Sequence, residues 1–207
     1  MELLDQVILL ATGLVAIYLI WRFFTRCQEK RGLHDAYYLL GFIVLLVSGL
    51  LLIFLGYDIL SSPYVLTVAS LIPLGISLGI ANQYYPEWKK AFSWFALIGF
   101  LAIGITSILG SPLKKMAVPV FHGVAGLVIF LGPILATSKA KAPAGFLWVG
   151  VGGVLIGLGG IALAFLSLDS QLLFFSRDFV LTILAPLLLL MTLAFAWGFM
   201  QDLGTQA

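Results

Sequence analysis

Charge is what this sequence has least of. Asp, Glu, Lys and Arg make up 10% of its 207 residues, against about 25% in a typical soluble domain. With 62% of the residues hydrophobic, there is too little polar surface to cover a water-facing fold of this size, and a soluble domain is excluded. The single cysteine, Cys27, excludes an internal disulfide and any paired-cysteine metal or redox motif. GxSxG, HExxH and Walker patterns are all missing. The only histidines are His34 and His122, so acid–base or metal-assisted hydrolysis lacks its parts. The reading is therefore of a protein that is not an enzyme, with no catalytic residue and no metal site. No basic run is interleaved with aromatics, which removes nucleic acid as a partner.

Charge is also missing from the middle of every apolar segment. The nine carboxylates lie in connections, tails or helix ends, and the basic residues do the same. An ionised group at mid-membrane costs several kcal/mol and is kept there chiefly for ion coupling, proton relay or a Schiff base. A retinylidene protein and a carboxylate-driven ion coupler are thereby disfavoured.

What the chain does contain is a series of apolar runs, each about 20 residues long, the length that crosses about 30 Å of hydrocarbon. Polar punctuation separates them into spans over residues 7–25, 36–57, 63–84, 90–109, 117–137, 144–167 and 178–200. The expected fold class is all-α: one integral membrane bundle of seven transmembrane helices covering residues 1–207. Connections are short, so successive helices should be antiparallel neighbours. The residues ahead of the first run, Glu2 and Asp5, are acidic where a signal peptide is basic, so this run is expected to remain as a span.

Of the eleven basic residues, Arg22, Arg26, Lys30, Arg31, Lys89, Lys90, Lys139 and Lys141 fall on one side, and Lys114, Lys115 and Arg177 on the other. The positive-inside rule then puts the N-terminus outside and the C-terminus in the cytoplasm. Trp21, Trp88, Trp94, Trp148 and Trp197 all fall at the more basic interface, where amphipathic rings prefer to sit. A miscounted span would move the later tryptophans across the membrane, so they support a count of seven. A bacterial inner membrane, or an equivalent, is the expected location.

Within this frame several residues are candidates for a site. His122 lies inside span five with Gly126 one turn away on the same face, which leaves room beside the imidazole for a neighbouring helix or a flat ligand. Imidazole can ligate a haem or chlorophyll-type pigment; a hydrogen bond to a neighbouring helix is the plainer alternative. His34-Asp35 opens span two near the opposite interface, too far away to supply a second axial ligand, and its carboxylate suits the positive end of the helix dipole. At the N-terminal side, Tyr57, Asp58, Asp169 and Arg177 are candidate binding residues for a small polar or zwitterionic ligand, or else ordinary solvated loop residues. Span six is rich in glycine, and Gly153 and Gly157 form a GxxxG pair expected to bring two helices together. Pro73, Pro133 and Pro186 should kink three spans. Val65-Leu66-Thr67 with Pro73 and Val180-Leu181-Thr182 with Pro186 hint at a repeated hairpin.

These observations point first to a non-catalytic membrane component: a structural, assembly or ligand-holding subunit of a larger complex. The partners expected are the lipid bilayer and other membrane subunits, or further copies of the chain. Whether a haem, pigment or quinone is bound is open. A small-solute transporter or channel, and a sensor domain signalling through a partner, are the alternatives.

Overall fold

A computed structural model describes residues 1–167 and 176–205. Its elements are α1 (Leu3–Lys30), α2 (Leu33–Leu55), a 3₁₀ turn (Tyr57–Ser61), α3 (Pro63–Ala69), α4 (Leu71–Tyr84), α5 (Lys89–Ile108), α6 (Lys114–Ser138), a second 3₁₀ turn (Ala144–Phe146), α7 (Leu147–Ser167) and α8 (Arg177–Thr205). The fold is all-α. Among the described residues, six stretches are long and apolar enough to cross a membrane, α3 and α4 counting together as Pro63–Tyr84. The 21-residue apolar α7 is the seventh helix of the bundle. The chain is thus a multi-pass membrane protein.

Local chemistry sets most of the boundaries. α1 ends where Arg31 adopts a left-handed backbone (φ 51°) and its N–H returns to the Cys27 carbonyl at 3.1 Å. α2 stops at Gly56, whose φ of +72° favours glycine. Ser62 caps α3 by accepting from the Val65 N–H, with Pro63 in the first turn. The α3–α4 break is Pro73's doing: lacking an N–H, it cannot donate to Ala69, although Ser70 and Leu74 still bond to Leu66 and Ser70 on either side. Pro119 and Pro133 lie inside α6 and Pro186 inside α8, and both helices continue through them.

Six of the spans form a closed ring. α1 packs on α2, α2 on α4, α4 on α6, α6 on α7, α7 on α8, and α8 returns to α1. α5 stands outside the ring against α3, α4 and α6. The ring is filled by aromatic side chains. Phe199 of α8 is the hub, with its ring centroid 4.6 Å from Tyr38, 5.2 Å from Phe23, 5.8 Å from both Phe42 and Phe146, and 6.2 Å from Phe195. Tilted and edge-to-face pairs at such spacings add to the stability that burial alone provides.

Glycine lets these rings and helices close in. α7 and the 3₁₀ turn before it present two glycine faces. Gly145, Gly152 and Gly159, spaced by sevens, meet Gln201, Phe195 and Leu187 of α8. Gly150 and Gly153 meet the backbone of α6 at Phe130 and Ile129. All five tryptophans lie exposed toward the α1–α2 turn end of the bundle, the belt expected of an interface. That end, which carries Arg31, Lys89 and Lys139, is called the basic end below.

Candidate functional site

The most polar place in the interior was not singled out by sequence reasoning. α1 has 28 residues and so runs about 42 Å, past the hydrocarbon. Its last turns carry Arg26 to the basic end. There it meets the first turn of α2, the end of α4 and the end of α8. Asp35 is 0% exposed, Asp202 2% and Arg26 8%. The carboxylates do sit at helix ends, as the sequence suggests, yet neither is solvated. Long helices rise above the apolar layer and bury their own ends against one another.

Two linked groups of side chains make up this polar knot. In the first, Arg26 Nε lies 3.3 Å from Asp35 Oδ2, and an Arg26 terminal nitrogen lies 3.3 Å from His34 Nε2. A guanidinium only donates, so His34 Nε2 accepts and the ring is neutral, with its proton on Nδ1. The 3.6 Å approach of His34 to Asp35 is then no ion pair. Both Asp35 oxygens are buried without a hydrogen-bond donor, and the Arg26 guanidinium is the cation that lies against that carboxyl. In the second group, Tyr84 donates to Asp202 Oδ1 at 2.5 Å and Gln83 Nε2 donates to Asp202 Oδ2 at 2.8 Å. Tyr38 donates to Gln83 Oε1 at 2.9 Å. The knot therefore ties α1, α2, α4 and α8 together. Beside it Lys141 donates to the Tyr84 carbonyl at 3.3 Å, and Tyr85 donates to the Gly132 carbonyl at 2.6 Å. These bonds fasten α6 and the α6–α7 connection to the same end.

His122 lies on α6 with its ring over Gly160 of α7. A β-carbon at Gly160 would come within 2.5 Å of His122 Nε2 and Cδ2. His122 Nε2 is buried and has no hydrogen-bond partner among the described residues. Gly126 is buried one turn on, and a β-carbon there would lie 4.0 Å from the Gly157 Cα. α7 therefore occupies the space beside His122 and Gly126.

The candidate binding residues at the N-terminal end are only partly brought together. Asp58 is exposed. Tyr57 packs beside the buried cluster of Leu9, Leu52 and Ala185, on helices other than those around His122. Asp169 and the side chain of Arg177 lie outside the described residues. Burial, and after it the nearby Asp5 carboxylate, push the Tyr57 phenol from 10.0 up to about 12. The stability this provides is complete below the ordinary phenol value and fades as pH rises from about 10 toward 12. The phenolate absorbance lost in Tyr57→Phe is expected to titrate with a midpoint near 12; a midpoint near 10 would show that Asp5 and burial do not reach the hydroxyl.

The buried serine and threonine hydroxyls, Ser107 apart, bond locally to carbonyls three or four residues back. Thr12 donates to Ile8, Thr67 to Pro63, Ser70 to Thr67, Ser77 to Leu74 and Thr192 to Leu188. Among the described residues, the buried hydroxyl oxygens of Ser107 and Tyr57 have no partner. No group of three or more metal-binding side chains converges among the described residues. Compared with known protein families, curated proteins and solved structures, the chain matches none.

Proposed function

We propose that this protein is a non-catalytic integral membrane component, a structural or assembly subunit of a larger membrane complex. The observation that carries this reading is the interlocked aromatic cluster around Phe199, which plugs the helix ring beside the polar knot, across the path a transported solute would take. Hydroxyls that bond back to their own helices support it, since they offer nothing to a passing solute. The knot fits the same role as a clasp that keeps four helices at fixed spacing. The excess of basic residues and the tryptophan belt at the knot end favour an orientation with that end in the cytoplasm and the N-terminus outside. A bacterial inner membrane, or an equivalent, suits that asymmetry.

A sensor domain signalling through a partner is the second reading. The buried ionisable groups shared by α1, α2, α4 and α8 favour it, because altered charge there would act on four helices at once.

Two measurements on protein from its native membrane test the subunit role. Native mass spectrometry should find the 22.4 kDa chain in complexes of fixed stoichiometry. Reconstituted vesicles should swell in glycerol or amino-acid solutions no faster than empty ones. A lone monomer with saturable solute uptake would overturn the proposal in favour of a transporter.

A further inference from the structure

Only Arg31 and Gly32 separate α1 from α2, and Arg26 faces Asp35 across this turn, with nitrogen and oxygen 3.3 Å apart. Gly32 keeps the turn free of a side chain. A β-carbon there would lie 2.7 Å from His34 Cε1 and 3.0 Å from Asp35 Oδ2, so the imidazole and the carboxylate lie together against bare backbone. Asp35 stands in the first turn of α2, where helix N–H groups are free to donate. Its two buried oxygens receive none of them.

His34 Nε2 is the atom over which the two neighbours compete. It accepts from an Arg26 terminal nitrogen at 3.3 Å and lies 3.6 Å from Asp35 Oδ1. An imidazole nitrogen offers a single lone pair. A proton placed between Nε2 and Oδ1, whether it rests on the nitrogen or on the oxygen, uses up that lone pair and draws the two atoms to hydrogen-bond distance. It also cancels the negative charge that Arg26 Nε faces. The guanidinium then loses an acceptor and a counter-charge in one step. It is already 8% exposed, so the water at the basic end is within its reach. The same water supplies the proton, and one N–H or O–H bond forms. The His34 side chain is 24% exposed and that of Asp35 0%, which makes the imidazole the point of entry. The other charges that act on the pair are Asp202 of α8, Lys30 at the end of α1 and Lys89 at the start of α5. Tyr38 of α2 and Tyr84 of α4 are the phenols within reach of the same group.

We infer that Arg26, His34 and Asp35 form a proton switch at the basic end: one proton taken up between His34 Nε2 and Asp35 Oδ1 expels the Arg26 guanidinium and loosens the last turns of α1 from α2. The clasp is closed in neutral or alkaline surroundings and open in acid ones. This deepens the sensor reading, on which the use of the switch rests, by naming the proton as its input.

Cys27, the only cysteine in the chain and the residue after Arg26, is partly exposed and gives a place for a nitroxide spin label. The full chain is reconstituted in vesicles, and the mobility of the label is read by electron paramagnetic resonance from about pH 8 to about pH 5, the range in which imidazoles titrate. In the wild type the label should pass from restrained to mobile in a one-proton transition. Asp35→Asn, the neutral isostere of the protonated acid, should be mobile throughout. His34→Gln can accept from Arg26 but cannot hold the proton, and should move the midpoint toward acid by about one pH unit or more. A wild-type label whose mobility is the same across the range would overturn the inference, with no variant needed. So would a transition that persists in Asp35→Asn, or one that keeps its midpoint in His34→Gln. Native mass spectrometry at both ends of the range tests the sensor reading separately: a label that responds as expected, with the same chains co-purifying at both pH values, leaves the switch standing and counts against a signalling partner.

Discussion

Arg26→Met is expected to destabilise the bundle by roughly 3–5 kcal/mol, the range found when one partner of a buried ion pair is removed. The reason is the state in which it leaves Asp35. That carboxylate is wholly buried, neither oxygen receives a hydrogen bond, and Arg26 Nε at 3.3 Å is its nearest cation. Asp35→Leu should cost less, because Arg26 keeps its bond to His34 and 8% of its surface in contact with solvent. The double variant Arg26→Met/Asp35→Leu should recover most of the loss, since replacing a buried pair by apolar groups of similar volume is often close to neutral. Reversible unfolding in mixed detergent micelles, followed by tryptophan fluorescence, measures the cycle. Single variants within about 0.5 kcal/mol of wild type, the usual span for surface changes, would mean that water reaches the pair.

The second large effect belongs to Gly153. A β-carbon there would lie 2.8 Å from the Ile129 carbonyl carbon and from the Phe130 nitrogen. Both are backbone atoms of α6, which cannot swing aside as a side chain can. Gly153→Ala should therefore cost about 1–3 kcal/mol, the usual range for overpacking, and Gly153→Leu should part α6 from α7 and cost more. Gly157 gives the contrast. Nothing lies within 4 Å of a β-carbon at that position, so Gly157→Ala should be neutral, or stabilising by up to about 1 kcal/mol through helix propensity. The same unfolding assay reads both. Equal effects at the two positions would sink the assignment of Gly153, rather than Gly157, to the tight contact.

This contrast shows what a hydropathy pattern conveys and what it omits. The helices are legible because crossing hydrocarbon demands long apolar runs, and the third span reads as 63–84 in the sequence and as Pro63–Tyr84 in the fold. Their ends are less so: the first run reads as 7–25, whereas α1 continues to Lys30. Hydropathy falls where Arg22 and Arg26 begin, but the helix carries on beyond the apolar layer. The rotation of each helix about its axis is not legible at all. Gly153 and Gly157 share one motif and meet different surroundings. The polar knot stayed hidden for a related reason. Arg26, Asp35, Gln83 and Asp202 each look like a solvated residue at a helix end, and only the order of helices around the ring makes them converge. A faint signal was present, in that all four fall at the same predicted interface.

The knot also has a place in time. Gln83 and Tyr84 bond to a carboxylate 119 and 118 residues further along the chain. During synthesis Arg26 and Asp35 can pair early, but Asp202 is made only after every other member of the knot. Until then the helices form an open arc, and Tyr84 faces the gap that α8 will fill. Closure is a long-range event, slow by its topology, and the half-made arc is the stage at which a chaperone or insertion factor would find this protein most exposed.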